Sequence, residues 1–499
     1  MSAQGTSQAA SEGVVARERV VVESVPRNLY VAGEWREASG GGRLAVEDPS
    51  TGEELTDVAD AQAEDALAAL GAAADVQARW ASTAPRERGE ILRRAYEAIV
   101  ARNEELALLM TLEMGKALAE SRAEIAYAAE FFRWFSEEAV RIHGRYMVNT
   151  TGKGRILTMR QPVGPCVFVT PWNFPTAMGT RKIAPAVAAG CTMVVKPAQQ
   201  TPLSMLALAQ ILERAGLPGG VLNVITSSHA GSVIEPLLQD SRTRKLSFTG
   251  STEVGRKLIE QSAAQVLRVS MELGGNAPFL VFEDADLDAA VEGAMVAKMR
   301  NGGEACTAAN RFHVHESRAD EVARRLSERM ASLRVGRGTD PDTDVGPLID
   351  ENQRTKVAEL VADAEQRGAR VLLGGERVDG RGYFFAPTVL AGVSGDARLL
   401  REEIFGPVAP IAAFSSDDDA LQAANRTEYG LVAYVYTRDL ARAFRICEGI
   451  ESGMVGLNQG IVSNPAAPFG GVKQSGFGRE GGFEGIGEYL ETKYVAMSW

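Results

Sequence analysis

CVFVT at residues 166–170 opens a series of four short runs rich in β-branched residues, followed by TMVVK (192–196), VLNVI (221–225) and KLSFT (245–249). Segments of helical character separate these runs. Such alternation is typical of a parallel β-sheet that is wound with helices on both faces. The four runs therefore predict a doubly wound α/β domain in the first half of the chain.

The segments before and after these runs show two other sequence patterns. Residues 61–143 are rich in Ala, Glu and Arg, with Leu and Ile at helical spacing, which predicts several amphipathic helices as an outer layer. After residue 276, strand-like runs such as PFLVF, RFHVH, RVLLGG and VAYVYT alternate with helix-like segments, among them ENQRTKVAELVADAEQR. This second alternation predicts a second α/β domain.

The two ends of the chain differ from the rest. The first residues, MSAQGTSQAASEG, are small and polar, which predicts a poorly ordered tail over residues 1–24. The last ones include YLETKYVAMSW, a β-prone run too short to fold alone. We expect this run to add a strand to a sheet of a partner subunit.

Composition narrows the classes of partner. The chain has 499 residues, a net charge of −12 and no long run of Lys or Arg, which argues against a nucleic-acid surface. No stretch approaches the roughly 18 apolar residues of a membrane helix. The four cysteines form no CxxC pair, so we expect no metal site, no disulfide framework and a cytoplasmic location. The predicted partners are small molecules and other copies of the chain.

Cys306 lies in the polar, glycine-flanked segment RNGGEACTAANR, whereas Cys166 and Cys191 lie in or beside hydrophobic strands. A single cysteine is often only a small apolar residue. The glycines at 302 and 303 favour a reachable thiol, because they allow a substrate to approach the backbone closely. Cys306 is therefore the candidate nucleophile.

Three other segments end predicted strands on polar residues. Glu272 in MELGGNAP is either a general base or a turn residue. Gly250 and Ser251 in FTGSTEVG either bind a phosphate at a helix N-terminus or form a plain strand-turn-helix junction, since the spacing is GxxxxG. Asn173, between the prolines of TPWNFP, either donates to an oxyanion or belongs to an ordinary turn.

Taken together and in order, the motifs PWNFP, VVKPAQQTP, FTGSTEVG, MELGGNAP, GGEACTAANR, EEIFGP and PFGGVKQSGFGRE resemble the aldehyde dehydrogenase superfamily. The resemblance runs from about residue 28 to the C-terminus. It implies an α/β fold with a Rossmann-type NAD(P)-binding domain, an α/β catalytic domain and a small β arm for oligomerisation. The implied bounds are 25–146 with 165–273 for the first domain, 274–470 for the second, and 147–164 with 480–499 for the arm.

The resemblance also implies a role for individual positions. Cys306 matches the nucleophile, Glu272 the general base and Asn173 the side-chain donor to the oxyanion. A general base implies that water hydrolyses the thioester, which argues against a CoA-acylating enzyme. The positions that match the family's NAD(P) contacts are Trp172, Lys196, Gln199, Gly250, Ser251, Leu273, Glu403 and Phe405.

Three positions narrow the expected substrate. Arg181, Arg300 and Ser463 match the residues that bind the distal carboxylate in the succinate-semialdehyde dehydrogenases of this superfamily, and guanidinium groups pair bidentately with carboxylates. A single arginine is commonly just one half of an ion pair. The resemblance therefore implies oxidation of succinate semialdehyde to succinate. The alternatives are a dehydrogenase for another aldehyde, either glutarate semialdehyde or an uncharged one, and a catalytically silent structural homologue.

Two departures from the family's patterns bear on the cofactor and on regulation. NAD-specific relatives carry a glutamate three residues after the ribose-binding lysine, and this chain has Gln199 there. A neutral amide removes the repulsion of a 2′-phosphate, so we expect NAD(P) with a preference for NADP. Some relatives have a second cysteine two residues after the nucleophile, but Ala308 stands at that position, so we expect no disulfide switch. The expected assembly is a dimer or tetramer.

Overall fold

Four runs rich in β-branched residues, at 166–170, 192–196, 221–225 and 245–249, form neighbouring strands of one sheet. The computed structural model describes residues 16–498. Its first sheet has eight strands in the order β2-β1-β9-β8-β7-β10-β11-β21. They are β1 (Leu29–Val31), β2 (Glu34–Arg36), β7 (Cys166–Val169), β8 (Met193–Lys196), β9 (Leu222–Val224), β10 (Lys245–Thr249), β11 (Arg268–Glu272) and β21 (Gly476–Phe477).

The centre of this sheet is parallel, as predicted, and its edges are not. Strands β9, β8, β7, β10 and β11 pair in parallel, whereas β1 and β21 pair antiparallel with their neighbours. Each run ends within about one residue of its prediction, since β-branched residues pack well on a pleated surface. The β21 strand reaches β11 from more than 200 residues away, a pairing that local sequence does not signal.

Helices cover both faces of the first sheet. In α6 all fifteen residues are buried, because this helix lies between the sheet and the helices α3, α5 and α7. Burying a Val, Leu or Phe side chain contributes about 1.5–3 kcal/mol each. The helices are α2 (Ala63–Ala81), α3 (Pro85–Ala101), α4 (Asn103–Met114), α5 (Leu118–Glu138), α6 (Pro175–Ala189), α7 (Pro202–Arg214), α8 (Ala230–Gln239) and α9 (Thr252–Ala263).

The second sheet has seven strands in the order β14-β15-β16-β13-β12-β18-β19. Its strands are β12 (Ala277–Val281), β13 (Ala309–His315), β14 (Arg370–Leu373), β15 (Thr388–Ala391), β16 (Val408–Phe414), β18 (Val432–Tyr436) and β19 (Met454–Leu457). Its helices are α10 (Leu287–Met299), α11 (Ala319–Ala331), α12 (Glu351–Gln366), α13 (Asp417–Asn425) and α14 (Leu440–Gly449). Two α/β units built this way confirm the predicted fold class.

A three-stranded antiparallel sheet, ordered β22-β6-β5, stands apart from both units. It consists of β5 (Arg145–Val148), β6 (Arg155–Pro162) and β22 (Leu490–Met497). The arm therefore begins slightly earlier than predicted, and its last strand starts at residue 490 rather than 480. Within the chain β22 pairs along its whole length with β6, and it is an edge strand of this sheet, so the prediction that the C-terminal run adds a strand to a partner's sheet stays a prediction.

Residues 480–489 lie with the first unit instead of the arm. They contain the short helix α15 (Gly482–Gly487), and the indole nitrogen of Trp134 on α5 donates to the Gly482 carbonyl at 3.1 Å. The remaining short elements are β3 (Arg43–Asp48), β4 (Glu53–Ala59), β17 (Tyr429–Gly430), β20 (Val472–Lys473) and the 3₁₀ turns Ala139–Arg141, Arg300–Gly303 and Arg398–Leu400.

The predicted poorly ordered tail is wrong for its last residues. Residues 16–23 form a helix, α1, whose Val21 and Val22 are buried in the first unit's core. Glu18 of this helix pairs with Arg337 at 2.9 Å. Apolar packing and an ion pair therefore fix this segment, and the rest of the predicted tail lies outside the described residues. Among residues 16–498, no helix has the length and apolar character needed to cross a bilayer.

Candidate active site

A cleft with about 810 Å³ of empty space lies at the carboxyl ends of the first sheet's strands, facing the second unit. This is where ligands bind in open α/β sheets. Its lining includes ten of the predicted site residues and seven others. The predicted ones are Trp172, Asn173, Arg181, Gly250, Ser251, Glu272, Leu273, Cys306, Glu403 and Phe405; the others are Pro171, Met178, Thr249, Gly274, Gln353, Lys356 and Phe469.

Strand order explains why distant motifs meet in this cleft. Glu272 is the last residue of β11, and Gly250 and Ser251 follow the neighbouring β10. Asn173 follows β7, the next strand across the sheet, and Lys196 ends β8 beside it. Residues from four separate motifs therefore lie along one sheet edge.

Cys306 is partly exposed and lies between the 3₁₀ turn Arg300–Gly303 and β13. A Cβ atom at Gly275 would lie 2.6 Å from the Cys306 carbonyl oxygen, so the LGGN turn after Glu272 packs directly against the cysteine. Gly303, with φ +81°, makes room for the backbone of Gly406. The glycine at 303 thus serves contact between two protein loops, which differs from the predicted approach of substrate.

The Cys306 thiol is held in its protonated form. Burial raises its pKa to about 12, and the nearby carboxylates of Glu403 and Glu272 act in the same direction. The guanidinium groups of Arg181 and Arg300 oppose this rise without cancelling it. The thiolate required for attack therefore depends on a base or on a ligand that changes the local charge.

Asn173 is fixed from both sides. Its Nδ2 donates to the Glu304 carbonyl at 2.9 Å, while its own carbonyl accepts from Lys116 Nζ at 2.7 Å and from Asn301 Nδ2 at 3.0 Å. Lys116 in turn forms a buried ion pair with Glu124 at 2.6 Å. One Nδ2 hydrogen of Asn173 remains for a ligand, and the amide is held rigidly beside Cys306.

Glu272 is 4% exposed, and its Oε2 has no hydrogen-bond partner among the described residues. Burial raises its pKa well above the usual value, and the neighbouring Glu480 raises it further, against the opposing charges of Arg181 and Lys182. A carboxylate with a raised pKa binds a proton more tightly than an ordinary one, so its charged form is the stronger base. That is the behaviour expected of a general base.

Arg181 is engaged within the protein. Its Nε lies 2.9 Å from Glu480 Oε2, although the two groups do not meet the angular criteria of a hydrogen bond, and its guanidinium lies 3.8 Å over the Phe469 ring. Glu480 also pairs with Lys182 Nζ at 2.6 Å. The sequence left two alternatives for Arg181, a contact with the substrate carboxylate or one half of an ion pair. The structure has the ion pair with Glu480, and Arg181 also lines the cleft.

Arg300 and Ser463 are brought together although 163 positions separate them. Arg300 Nη1 donates to Ser463 Oγ at 3.0 Å, and the guanidinium lies 4.8 Å from the Phe174 ring centroid. Arg300 forms no ion pair within residues 16–498. Its charge acts on Cys306, so the pair lies near the cysteine, although neither Arg300 nor Ser463 lines the cleft itself.

The opposite side of the cleft fits a nicotinamide cofactor. Glu403 Oε1 accepts from the Gly275 amide at 3.1 Å, and burial raises the Glu403 pKa to about 7. The Trp172 and Phe405 rings meet edge to face at 5.3 Å. Thr249 Oγ1 is buried without a partner in the described chain, which leaves a polar group for a ligand.

Lys196 and Gln199 do not line this cleft. Lys196 is buried, and burial lowers its pKa to about 8 against the attraction of Asp60. Gln199 is exposed and lines a separate depression together with Gln200 and Asp350. Their roles at the adenosine end of a cofactor stay predictions.

Known proteins are similar to this chain in sequence and in structure. Residues 35–495 match the model of the aldehyde dehydrogenase family. The chain belongs to the aldehyde dehydrogenase family. As a family member it is an oxidoreductase that acts on aldehydes with NAD(P), and its resemblance in sequence is confirmed.

Individual members of the aldehyde dehydrogenase family are similar over nearly the whole chain. The succinate-semialdehyde dehydrogenase of Paenarthrobacter nicotinovorans is 61% identical, covering 89% of this chain and 99% of its own. The glutarate-semialdehyde dehydrogenase of Pseudomonas putida is 48% identical, covering 95% and 98%. The crystal structure of an NADP dependent enzyme from E. coli superposes with a TM-score of 0.94 at 48% identity, covering 95% and 98%.

The structure adds residues to this aldehyde dehydrogenase site that the sequence analysis did not single out. Gln353 on α12 donates to the carbonyls of Ile404 and Phe405 at 3.0 and 2.6 Å and so holds the segment that carries Glu403. Lys182 and Glu480 form the ion pair beside Glu272. Glu480 stands in the quoted motif SGFGRE, so a charged residue in a matched motif was the available signal.

Proposed function

We propose that this aldehyde dehydrogenase oxidises succinate semialdehyde to succinate. The contact between Arg300 and Ser463, a guanidinium without a carboxylate partner beside a hydroxyl, is the observation that carries the proposal. An unpaired guanidinium next to a reactive thiol is satisfied by a ligand carboxylate, because arginine pairs strongly with that group. The similarity to the enzyme of Paenarthrobacter nicotinovorans supports the same substrate.

In this proposal three residues perform the chemistry. Glu272 takes the proton of the Cys306 thiol, and the thiolate forms a bond to the aldehyde carbon while the carbonyl electron pair moves to oxygen. The free Nδ2 hydrogen of Asn173 stabilises the resulting oxyanion, and such a donor is worth about 2.7–4 kcal/mol of barrier. Asn173 suits this role because Lys116, Asn301 and Glu304 fix its position.

When NAD(P) is bound, its nicotinamide supplies the hydride acceptor that turns the Cys306 adduct into a thioester. Glu272 passes the thiol proton to solvent and then removes a proton from a water molecule whose oxygen attacks the thioester carbon; this second proton returns from Glu272 to the sulfur. The carbon–sulfur bond breaks, and the acid leaves as the Cys306 thiol re-forms. The unpartnered Oε2 of Glu272 supports this assignment, since it is open to a water molecule.

The residues proposed to hold NAD(P) lie on two parts of the cleft and its extension. Glu403 would bind the nicotinamide ribose, with Phe405, Trp172 and Leu273 around the ring. Gly250 and Ser251 would contact the pyrophosphate, because Ser251 caps α9 and this helix presents its N-terminus there. Lys196 would bind the adenosine ribose.

We propose a preference for NADP over NAD. The neutral Gln199 lacks the negative charge that would repel a 2′-phosphate, and the similar E. coli enzyme is described as NADP dependent. Gln199→Glu should shift the ratio of kcat/KM values toward NAD, whereas Gln366→Glu, at an exposed glutamine that ends α12 and does not line this depression, serves as the control. An unchanged ratio in Gln199→Glu would overturn the role of this position.

The proposed substrate is tested with two aldehydes of equal chain length. Initial rates with succinate semialdehyde and with butanal, each with NADP and with NAD, measure what the distal carboxylate contributes. We expect kcat/KM to favour the semialdehyde by about a hundredfold, the size expected of a lost charged contact in the transition state. Equal values would overturn the substrate and leave the aldehyde dehydrogenase chemistry intact.

Glutarate semialdehyde is the second candidate, because a similar protein of Pseudomonas putida is named for it. It has the same carboxylate and one more methylene group. Its kcat/KM, measured in the same assay, distinguishes the two, since an added methylene changes binding by about 1–3 kcal/mol. A higher value for the longer substrate would transfer the proposal to it.

The proposal extends to assembly as a homo-oligomer in the cytoplasm. Exposed apolar side chains on the arm sheet support association between copies, among them Tyr146, Met147, Val148 and Tyr494. The four cysteines are free thiols, which suits a reducing compartment. The mass measured by light scattering after chromatography distinguishes monomer, dimer and tetramer.

A further inference from the structure

We propose that Tyr127 is a specificity-determining residue whose hydroxyl donates a hydrogen bond to the distal carboxylate of the substrate, alongside Arg300 and Ser463. The inference rests on the proposed function, since it adds a third group to the carboxylate site. Nothing in the sequence motifs marks this tyrosine, which lies in the middle of α5 in the segment AEIAYAAE.

The first observation is an unsatisfied donor. The Tyr127 hydroxyl is buried and has no hydrogen-bond partner among residues 16–498. Buried polar groups nearly always find a partner in the protein, in water or in a ligand. Burial raises the pKa of this hydroxyl, so it keeps its proton at neutral pH and acts as a donor.

The second observation is what surrounds that donor. Arg181 and Arg300 both act electrostatically on the Tyr127 hydroxyl, and Ser463 approaches it without hydrogen-bonding geometry. The Arg300 guanidinium lies 5.8 Å from the Tyr127 ring centroid. The negative charge of Glu480, which pairs with Arg181 and Lys182, also acts on this hydroxyl. Positive charge still prevails around the Tyr127 and Ser463 hydroxyls, and such a set of groups is suited to an anion with several lone pairs.

The third observation is that packing fixes the ring. Phe131, one turn further along α5, meets the Tyr127 ring edge to face at 5.0 Å. The ring also packs against a small apolar cluster that contains Phe174 as well as Ala305 and Ala308, the residues on either side of the Cys306 segment. The hydroxyl is therefore held in a set position relative to the nucleophile and to Arg300, which itself contacts Phe174.

These three observations explain how an uncharged aldehyde is rejected. A ligand without a carboxylate leaves the Tyr127 hydroxyl unpartnered, in addition to the unpaired Arg300. A site built to hydrogen-bond a substrate group discriminates strongly against an analogue that lacks it, because the site's own polar groups then stay unsatisfied. Tyr127 thus acts on selectivity without taking part in bond making or breaking.

Tyr127→Phe tests the proposal because it removes one oxygen and keeps the ring. We expect kcat/KM for succinate semialdehyde to fall about tenfold, mainly through KM, which is the effect of one hydrogen bond to a charged group. The value for butanal should stay unchanged, and the concentration of succinate needed to protect Cys306 from iodoacetamide should rise by a similar factor. The thermal midpoint reports whether the variant stays folded.

Tyr436→Phe is the matched control. Its hydroxyl is also buried without a partner in the described chain, but Tyr436 lies on β18 in the core of the second unit, and burial alone, without any arginine, raises its pKa. Removing this oxygen should leave both aldehydes and the succinate protection unchanged. If Tyr127→Phe lowers kcat/KM equally for both aldehydes, or changes neither, the tyrosine is structural and the inference is overturned.

The same experiment separates failure of this inference from failure of the proposed function. A native protein that uses butanal as well as succinate semialdehyde would overturn the proposed substrate whatever Tyr127→Phe does. A native protein that prefers the semialdehyde, with a Tyr127→Phe variant that keeps the full preference, would overturn only the role of Tyr127.

Discussion

Arg181 and Arg300 approach the reactive cysteine with the same functional group, but their surroundings differ in charge. Arg181 is 2% exposed and lies 2.9 Å from the carboxylate of Glu480, which Lys182 also contacts. Arg300 is partly exposed and its polar contact is the neutral hydroxyl of Ser463. One positive charge is largely compensated inside the protein, while the other is left for a ligand.

The difference teaches that matching two arginines to one family role does not make them equivalent. Arg181 pairs with Glu480 and influences the charge state of Glu272, whereas Arg300 acts on the buried Glu120 only at longer range and forms no ion pair within residues 16–498. Removing one partner of a buried pair leaves an uncompensated charge, which is far more damaging than removing an unpaired surface charge. Substitutions at the two positions should therefore give different kinetic and stability profiles.

The largest effect should come from replacing Cys306, because the charges of Arg181 and Arg300 both act on its thiol. We expect Cys306→Ala to abolish turnover of every aldehyde, because no other described residue offers a thiol in the cleft. NADP binding, followed by quenching of tryptophan fluorescence, should persist. Cys447→Ala, at a half-buried cysteine outside the cleft, is the control, and residual turnover in Cys306→Ala would disprove the assigned nucleophile.

Arg181→Leu should produce the next largest effect, and it should be unselective. Glu480 would keep only Lys182 as a partner, and breaking a buried pair costs about 3–5 kcal/mol of unfolding free energy. Loss of the positive charge would also raise the pKa values of Cys306 and Glu272 further, which lowers kcat for succinate semialdehyde and butanal alike.

Urea unfolding and kcat measured on both aldehydes check this expectation. Arg133→Leu, at an exposed arginine on α5 that pairs weakly with Glu137, is the control and should change neither quantity. If Arg181→Leu instead left stability intact and acted on the semialdehyde alone, Arg181 would be a carboxylate ligand of the same kind as Arg300.

Arg300→Leu should act selectively. We expect kcat/KM for succinate semialdehyde to fall about 10–100-fold, the range for a lost charged hydrogen bond, while the value for butanal stays the same. Arg300→Lys keeps the charge without the planar fork and should recover part of the loss. Equal losses on both aldehydes would show that Arg300 supports the structure of the cysteine loop.

The last effect to be measured, which needs no substitution, is the pH dependence of the Cys306 thiol. Because the pKa of Cys306 is raised to about 12, its thiolate fraction should grow about tenfold for each pH unit between 7 and 9. The rate of alkylation by iodoacetamide, without cofactor, reports this fraction. A small free thiol levels off near its own pKa of about 8.5. A plateau of the protein's rate below pH 9 would contradict the raised pKa.

Local sequence was sufficient for much of the fold. The runs at 166–170 and 245–249 became β7 and β10 because period and β-branching act over a few residues. Pairings between distant segments left no such signal. The antiparallel partner of β11 comes from residues 476–477, and β22 pairs with β6 of the same chain, since neither choice is encoded near the strand itself.

The candidate site also has a part that sequence motifs predicted and a part that they did not. Ten predicted residues line one cleft because family motifs sit at strand ends, and the sheet brings those ends together. The Lys182–Glu480 pair joins positions 298 apart, and the unpartnered Tyr127 hydroxyl depends on a helix packing beside the cysteine loop. Such relations follow from three-dimensional packing and from burial, which no single stretch of sequence expresses.

Because β21 comes late in the chain but pairs with β11 in the first sheet, the surroundings of Glu272 are completed late in synthesis. Ser475 Oγ donates to the Gly274 carbonyl at 2.7 Å across 201 positions, and Gly476 pairs with Glu272 itself. At a ribosomal rate of about 5–20 residues/s, the β21 segment, which pairs with Glu272, is synthesised roughly 10–40 s after the glutamate. A nascent chain that already displays Cys306 therefore lacks the framework that holds its base, and chemistry waits until synthesis has passed this late strand.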